Sequence, residues 1–348
     1  MIVISVPHHS PVISIITPTY NRAEELVHLL KSIQGQSLDP HLFEMIIADD
    51  GSSDSTPELI TEWQGKVDFS LKYVTQKNQG PGAARNLGMA ESIGDLFVFI
   101  DSDCEAHPDW LNIIYDAYQK DTFDACGGPD GAKDDFTLLQ KAIDFAMTSF
   151  FTTGGMRGHS EKMLAKFYPR THNMAVKKSI YESVGGFGNL RHGQDIEFSN
   201  RIRKSGARIQ FLIDAVVYHR RRTSLKQFFK QVFNWGVARV NLAKIDGSML
   251  EAIHFLPALA TLLGLAAVST AFLSGISIEY IFACIFIPFA LLSLFGAKQK
   301  KDFRIFFYLL IVIPAQILGY GLGFILNFIK RYIFGLDAWR GFTKRYYQ

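Results

Sequence analysis

Leu96, Phe97, Val98, Phe99 and Ile100 form an unbroken apolar run that stops at Asp101-Ser102-Asp103. A run of that length, bounded by polar turns, fits a strand covered on both faces, as in a parallel sheet. Ligands of open α/β sheets bind just beyond the carboxyl ends of such strands. Two carboxylates spaced i, i+2 at that place suit a hard divalent cation, which takes oxygen ligands and bridges substrate phosphates. The same pair would also serve as a helix cap or a solvated turn, so the rest of the chain has to decide.

The residues before this run alternate between strand and helix patterns. Val12 to Thr17, Phe43 to Ala48 and Leu71 to Thr75 read as three earlier strands. A helix starting near Ala23 has Leu26, Leu29, Leu30 and Ile33 at helical spacing, with Asn21 placed to cap it. Thr56-Pro57 opens a second helix, Gly82 a third, and Pro108 to Lys120 a fourth. This alternation predicts a doubly wound α/β layer. Tyr20, Asp49-Asp50 and Asp101-Ser102-Asp103 each follow a strand and so share one edge of the sheet. An aromatic ring can stack on a base, a carboxylate can accept from a base N–H, and a metal can neutralise a pyrophosphate. That edge therefore suits a nucleotide diphosphate. Arg85 would add a phosphate contact or form an exposed ion pair.

Four segments taken together carry a family resemblance: Pro18-Thr19-Tyr20-Asn21-Arg22, Asp49-Asp50-Gly51-Ser52-Ser53-Asp54, Gly82-Ala83-Ala84-Arg85-Asn86-Leu87-Gly88 and Asp101-Ser102-Asp103. In order and spacing they resemble the family 2 glycosyltransferases of the GT-A fold, over roughly residues 10–220. The resemblance implies an α/β nucleotide-diphospho-sugar transferase fold with a mostly parallel sheet. It also implies a UDP- or GDP-sugar donor and a divalent cation, Mg²⁺ or Mn²⁺. Tyr20 and Asp50 would then hold the base, Asp101 would lie near ribose and metal, and Asp103 would bind the metal.

Further along, Asp195 stands where a helix begins and would cap it. In the glycosyltransferases that the chain resembles, the matching motif is Glu-Asp or Asp-Asp, and its last aspartate is the catalytic base. Gln194 replaces the first acid here, so the base role passes to Asp195 alone. That base would take the proton of an acceptor hydroxyl as it displaces the nucleotide with inversion. Val216 to His219 reads as a short strand, and the resemblance implies that His219 completes the metal shell. Gly154 to His159 is glycine-rich and reads as a surface loop, and Gly185 as the left-handed cap of a helix from Lys178.

The last hundred residues change character. His254 to Ser274, Ile278 to Gly296 and Phe303 to Phe328 each approach the ~20 apolar residues of a bilayer crossing. From Ala297 onward nine Lys/Arg face two Asp, so this tail is +7 within a chain of net charge +3. That asymmetry favours a membrane-facing tail over a nucleic-acid partner. The positive-inside rule puts Lys298 to Arg304 and the residues from Lys330 in the cytoplasm, whereas three simple crossings, the expectation, would put the last segment outside. Pro314 with Gly319, Gly321 and Gly323 leaves a re-entrant hairpin as the alternative for the third. Arg220-Arg221-Arg222 precedes Leu225, Phe228, Phe229, Val232, Phe233 and Trp235, with Lys226, Lys230 and Arg239 among them. That spacing makes an amphipathic helix lying in the membrane interface, or else one packed on a core. Gln231 to Trp235 is similar to the Gln-x-x-Arg-Trp motif of processive polysaccharide synthases, but Asn234 replaces the arginine. Processivity is therefore not inferred.

Cys104, Cys126 and Cys284 form no metal or redox spacing and fit a reducing compartment, and the first residues lack a secretory pattern. The expected organisation is a catalytic domain over residues 1–222, an interfacial helix over 223–250 and a transmembrane region over 251–348. The expected activity is a metal-dependent inverting glycosyltransferase in the cell membrane, its catalytic domain facing the cytoplasm. It would act on a lipid-linked or glycan acceptor in cell-surface glycan or polysaccharide synthesis. The alternatives are a polyprenyl-phosphate sugar synthase, a nucleotidyltransferase and an inactive membrane scaffold. Retention of Asp50, Asp101, Asp103 and Asp195 stands against the last.

Overall fold

The computed structural model describes residues 11–131, 135–154, 166–219, 222–274 and 278–342. Six elements alternate first: β1 (Ile13–Thr19), α1 (Ala23–Gln34), β2 (Phe43–Asp49), α2 (Thr56–Gln64), β3 (Ser70–Thr75) and α3 (Pro81–Ala90). Next come β4 (Leu96–Phe99), β5 (Cys104–Ala106), α4 (Trp110–Gln119), β6 (Ala125–Gly127), β7 (Asp130–Gly131), α5 (Leu138–Thr148) and α6 (Phe150–Thr153). Then follow β8 (Met174–Lys177), α7 (Lys178–Val184), α8 (Gln194–Lys204), β9 (Ile209–Phe211) and β10 (Val217–His219). Four long helices close the chain: α9 (Leu225–Ile245), α10 (Leu256–Ser274), α11 (Ile278–Gln299) and α12 (Ile305–Phe328).

The main sheet has the order β3-β2-β1-β4-β8-β6-β9. Strands β1 to β4 are parallel, and β8 runs antiparallel to both β4 and β6. The chain winds outward from β1 through β2 to β3, then crosses back so that β4 lies on the other side of β1. That reversal makes the carboxyl edge of β1 and β4 a switch point, where α/β sheets leave a crevice. The run from Leu96 to Ile100 is buried on both faces, as its lack of alternation requires. Leu96, Val98 and Ile100 join the core with Ile13, Ile15 and Trp110, while Phe97 and Phe99 pack with Ile16, Met174 and Phe198 on the opposite face.

The helical half packs on α5 through a core separate from those of the sheet. Ile143, Phe145 and Ala146 of α5 pack with Phe228 and Val232 of α9 and with Ile305 and Leu309 of α12. Lys300 Nζ also reaches the buried Asp144 Oδ2 at 2.7 Å. α5, before the boundary expected near residue 222, thus packs against α9 and α12 after it. Arg220, Arg221 and residues 155–159 of the expected glycine-rich loop lie outside the described residues.

Helix α9 lays its apolar stripe on protein. Phe228, Val232, Phe233, Val237 and Val240 are buried, and Phe233 packs against Trp339 and Phe342. An apolar stripe has the same spacing whether lipid or protein covers it; here the cover is α12. Gly319 and Gly323 of α12 serve that packing, Gly321 faces α10, and α12 is one continuous helix, not a hairpin. A Cβ added at Gly323 would stand 2.2 Å from the Phe233 carbonyl oxygen, and one at Gly236 2.2 Å from that of Tyr320. Backbone cannot yield as a side-chain tip can. Gly323→Ala is therefore expected to cost about 1–3 kcal/mol, read as a lowered Tm in detergent. Gly264→Ala, where an added Cβ meets nothing within 4 Å, is expected to leave the Tm unchanged or slightly raised.

Among the described residues two helices are long and apolar enough to cross a bilayer, Ala252–Leu273 and Ile305–Ile333. The expected middle crossing contributes a shorter apolar helix, Phe286–Gln299. Residues 275–277, between the first and second apolar stretches, lie outside the described residues.

Candidate active site

The loops after β1 and β2 hold each other. Asn21 takes the left-handed conformation (φ 52°) that short polar side chains tolerate. Its N–H donates to Ser52 Oγ (2.8 Å), and its Oδ1 accepts from the Ser53 N–H (2.7 Å). It does not cap α1. Asp54 does so from the neighbouring loop, accepting the Ala23 N–H (3.1 Å) as well as the Thr56 N–H of α2 (3.1 Å). One carboxylate thus serves two helix N-termini, a place where such a cap contributes about 1 kcal/mol. Tyr20 rides on this braced loop and is partly exposed.

Asp50 is fully buried, and its carboxylate is engaged by the loop between β3 and α3. Gln76 Nε2 (2.7 Å) and the Gln79 N–H (2.9 Å) donate to Oδ1, and the Gly80 N–H donates to Oδ2 (2.6 Å). Three donors thus engage its two oxygens, and the carboxylate braces this loop. Gly80 needs this anchor: at φ 98° it turns the chain into α3.

Helix α3 carries Arg85 inward, where Nη2 donates to Asp101 Oδ1 at 2.6 Å. Arg85 is 5% exposed, and its guanidinium lies 5.5 Å from the Phe187 ring centroid. Its Nε is buried without a hydrogen-bond partner. Asp101 is therefore an arginine partner here and lies outside the cluster of metal-type ligands.

That cluster is built by strand register. β5 begins directly after Asp103 and pairs antiparallel with β10, with Cys104 opposite His219. The pairing brings His219 Nε2 to 3.4 Å from Asp103 Oδ1. One ligand atom each from Asp103, Cys104 and His219 lies within 4.8 Å of the others. His219 Nδ1 is buried without a partner, so no hydrogen bond to the protein reserves the ring's lone pair. A carboxylate oxygen beside an imidazole nitrogen fits a divalent ion. Cys104 fits poorly, since burial holds its thiol well above its ordinary pKa and so neutral. Burial alone would raise the Asp103 carboxyl, but His219, Arg22 and Arg222 outweigh it and hold it below the usual carboxylate range. His172 stacks on His219 with ring centroids 5.3 Å apart.

Asp195 occupies the first turn of α8, which starts at Gly193 (φ 82°). Arg170 Nη1 donates to its Oδ2 at 3.1 Å. Burial pushes this carboxyl up, but Arg170 and the Ile196 N–H prevail and hold it below the ordinary aspartate value. Gln194 turns toward α3, where a Cβ on Gly82 would lie 2.8 Å from its Nε2. Asp195, Arg85 and His219 all line one cavity of about 350 Å³ that continues between α9, α10 and α12. Tyr20, Asp50, Asp101 and Asp103 lie outside that lining. Sequence reasoning missed Arg170, His172 and Cys104 and did not place Arg239 in this cavity. None of them stands in a recognisable spacing, and only the folded chain brings them to the site.

Residues 14–185 match the family described as Glycosyl transferase family 2. The glycosyltransferase AglE of Haloferax volcanii is 27% identical over 247 residues, which are 71% of this chain and 79% of that protein. The poly(ribitol-phosphate) beta-N-acetylglucosaminyltransferase TarS of Staphylococcus aureus is 31% identical over 90 residues, 26% of this chain but only 16% of TarS. Mannosyltransferase PcManGT from Pyrobaculum calidifontis, solved with GDP-Man and Mn²⁺, has a TM-score of 0.62 at 20% identity. That likeness covers 90% of this chain and 88% of PcManGT and concerns the fold alone. Residues 14–185 are therefore a family 2 glycosyltransferase domain, and the chain has the GT-A fold.

Proposed function

We propose that the chain transfers a sugar, with inversion, from a nucleotide-diphosphate sugar to an acceptor hydroxyl on a lipid-linked molecule. The observation that carries this reading is the single cavity lined by Asp195, His219 and Arg85. It joins a base candidate to the strand end where a donor diphosphate would lie. The donor nucleotide would rest on the sheet edge, its base against Tyr20 and the loop that Asp50 braces. Arg85 would face the diphosphate. Asp103 and His219 would hold a divalent cation, Mg²⁺ or Mn²⁺, which when bound neutralises the departing diphosphate. Asp195 would accept the proton of the attacking hydroxyl, and Arg170 keeps it ionised for that task. PcManGT, with the same fold, was solved with GDP-Man and Mn²⁺, which supports a nucleotide-sugar donor with a metal.

The two candidate spans and the basic residues after Ala297 support a membrane anchor with the catalytic domain on the cytoplasmic side. The test is thermal stabilisation of the detergent-solubilised full chain by UDP, GDP, CDP and ADP, each with and without Mn²⁺. Ligands that bind only the folded state raise the Tm. One nucleotide is expected to do so in the presence of metal. A folded sample that responds to none of the four would sink the reading.

A further inference from the structure

The cavity holds more positive charge than a hydroxyl acceptor requires. Arg85, Arg170, Arg191 and Arg239 line it, against Asp195 as the one carboxylate among the described lining residues. Arg85 pairs with Asp101 and Arg170 with Asp195. Arg239 is 8% exposed and donates from Nη1 to the Met249 carbonyl at 3.0 Å. Among the described residues no acidic side chain forms an ion pair with it. A buried charge without a counter-charge is costly, and a guanidinium is shaped to grip a phosphate with two N–H groups. Beside it the Tyr320 hydroxyl is buried and finds no acceptor in the protein. Gly193, which opens α8 without a side-chain cap, also lines the cavity, so the positive end of that helix dipole points the same way.

Much of the remaining lining is apolar. Trp235 of α9, Ile253 and Pro257 at the start of one candidate span and Ile317 of the other contribute to it. Guanidinium groups and apolar side chains in one cavity match a molecule with both characters.

We propose that this cavity is the phosphate site of a lipid acceptor. Arg239, Arg170 and the Tyr320 hydroxyl hold the phosphate or diphosphate, and the apolar chain lies along Trp235, Pro257 and Ile317. The proposal rests on the glycosyltransferase reading above and names the acceptor's chemical class. A phosphate arriving at Arg170 shares that guanidinium with Asp195, which sets the acceptor beside the base.

The test uses the full chain in detergent, its donor site saturated with Mn²⁺ and whichever nucleotide stabilises it. The added probes are farnesyl phosphate, farnesyl diphosphate, farnesol, inorganic phosphate and pyrophosphate. Either prenyl phosphate is expected to bind at least tenfold more tightly than farnesol and than both inorganic anions. Arg239→Met is expected to weaken that binding at least tenfold while the nucleotide response stays intact. Equal binding of farnesol would reduce the site to an apolar cavity, and equal binding of pyrophosphate to a site for free anions. Unchanged prenyl-phosphate affinity in Arg239→Met would also overturn the proposal. If Arg239→Met does not fold, Arg239→Lys and Trp235→Ala carry the same comparison. Lysine should retain part of the affinity, while loss of Trp235 should weaken the prenyl phosphates and leave the inorganic anions unaffected. A nucleotide response with no prenyl-phosphate binding would overturn this proposal alone. Prenyl-phosphate binding without any nucleotide response would instead overturn the donor-site reading.

Discussion

Replacing Asp195 with asparagine is expected to lower the rate of sugar transfer roughly 10²–10⁴-fold, the usual worth of a positioned general base. Nucleotide binding is expected to be unchanged, because Asp195 stands in the first turn of α8 and not on the carboxyl edge of the sheet. Asparagine keeps the size of the side chain and can still accept from Arg170, so lost folding is not the expected cause. The pH dependence sharpens the test. Arg170 and the Ile196 N–H hold the Asp195 carboxyl below its ordinary value against the opposing effect of burial. The acid limb of kcat against pH should therefore lie below the ordinary aspartate value of about 3.9. In Arg170→Gln the carboxyl stays buried while the cation is gone, so it becomes harder to ionise. The acid limb should move to higher pH. A merely structural role for Arg170 would lower the rate at every pH without moving the limb. If the acceptor nucleophile is itself a lipid phosphate, no base is needed, and Asp195→Asn will retain most of the activity.

What was legible in the sequence and what was not divide along a physical line. The strands, the loops after them and the carboxylates at their ends are local patterns. The run from Leu96 to Ile100 announced a strand buried on both faces, and the four motif segments carried the family. Contacts made by register or by helix packing leave no such pattern. His219 could be named only through the resemblance, yet its place beside Asp103 follows from the pairing of Cys104 with His219 in a two-strand contact. Arg170 lies in a segment without periodicity and becomes informative only when α8 delivers Asp195 to it. Arg239 sits on a helix whose apolar stripe reads the same against lipid or protein, and only α12 decides between them. Asp50 and Asn21 mark a different limit. Short polar side chains compete for backbone groups in ways that residue type does not disclose, so a carboxylate placed for a base braces a loop, and the capping role passes from Asn21 to Asp54.

Replacing Asp103 with alanine is expected to abolish the metal-dependent part of nucleotide stabilisation and to lower transfer by roughly 10²–10³-fold, several kcal/mol of charge stabilisation. Asp103 is the carboxylate within the cluster, whereas Asp101 is committed to Arg85. His219→Gln should weaken the metal response less, because the carboxylate stays. Cys104→Ala should leave it unaltered, since the thiol is buried and neutral and offers no anionic ligand. Removing Asp103 also strips an acid from beside His219, Arg22 and Arg222. The variant could then bind a nucleotide through those cations without any metal. Nucleotide titrations with Mn²⁺ and with a chelator separate the two cases. Wild type should bind more weakly in chelator, and Asp103→Ala should bind equally in both. If chelated wild type keeps its full affinity and rate, the arginines alone carry the diphosphate and the cluster of Asp103 and His219 is an internal ion pair.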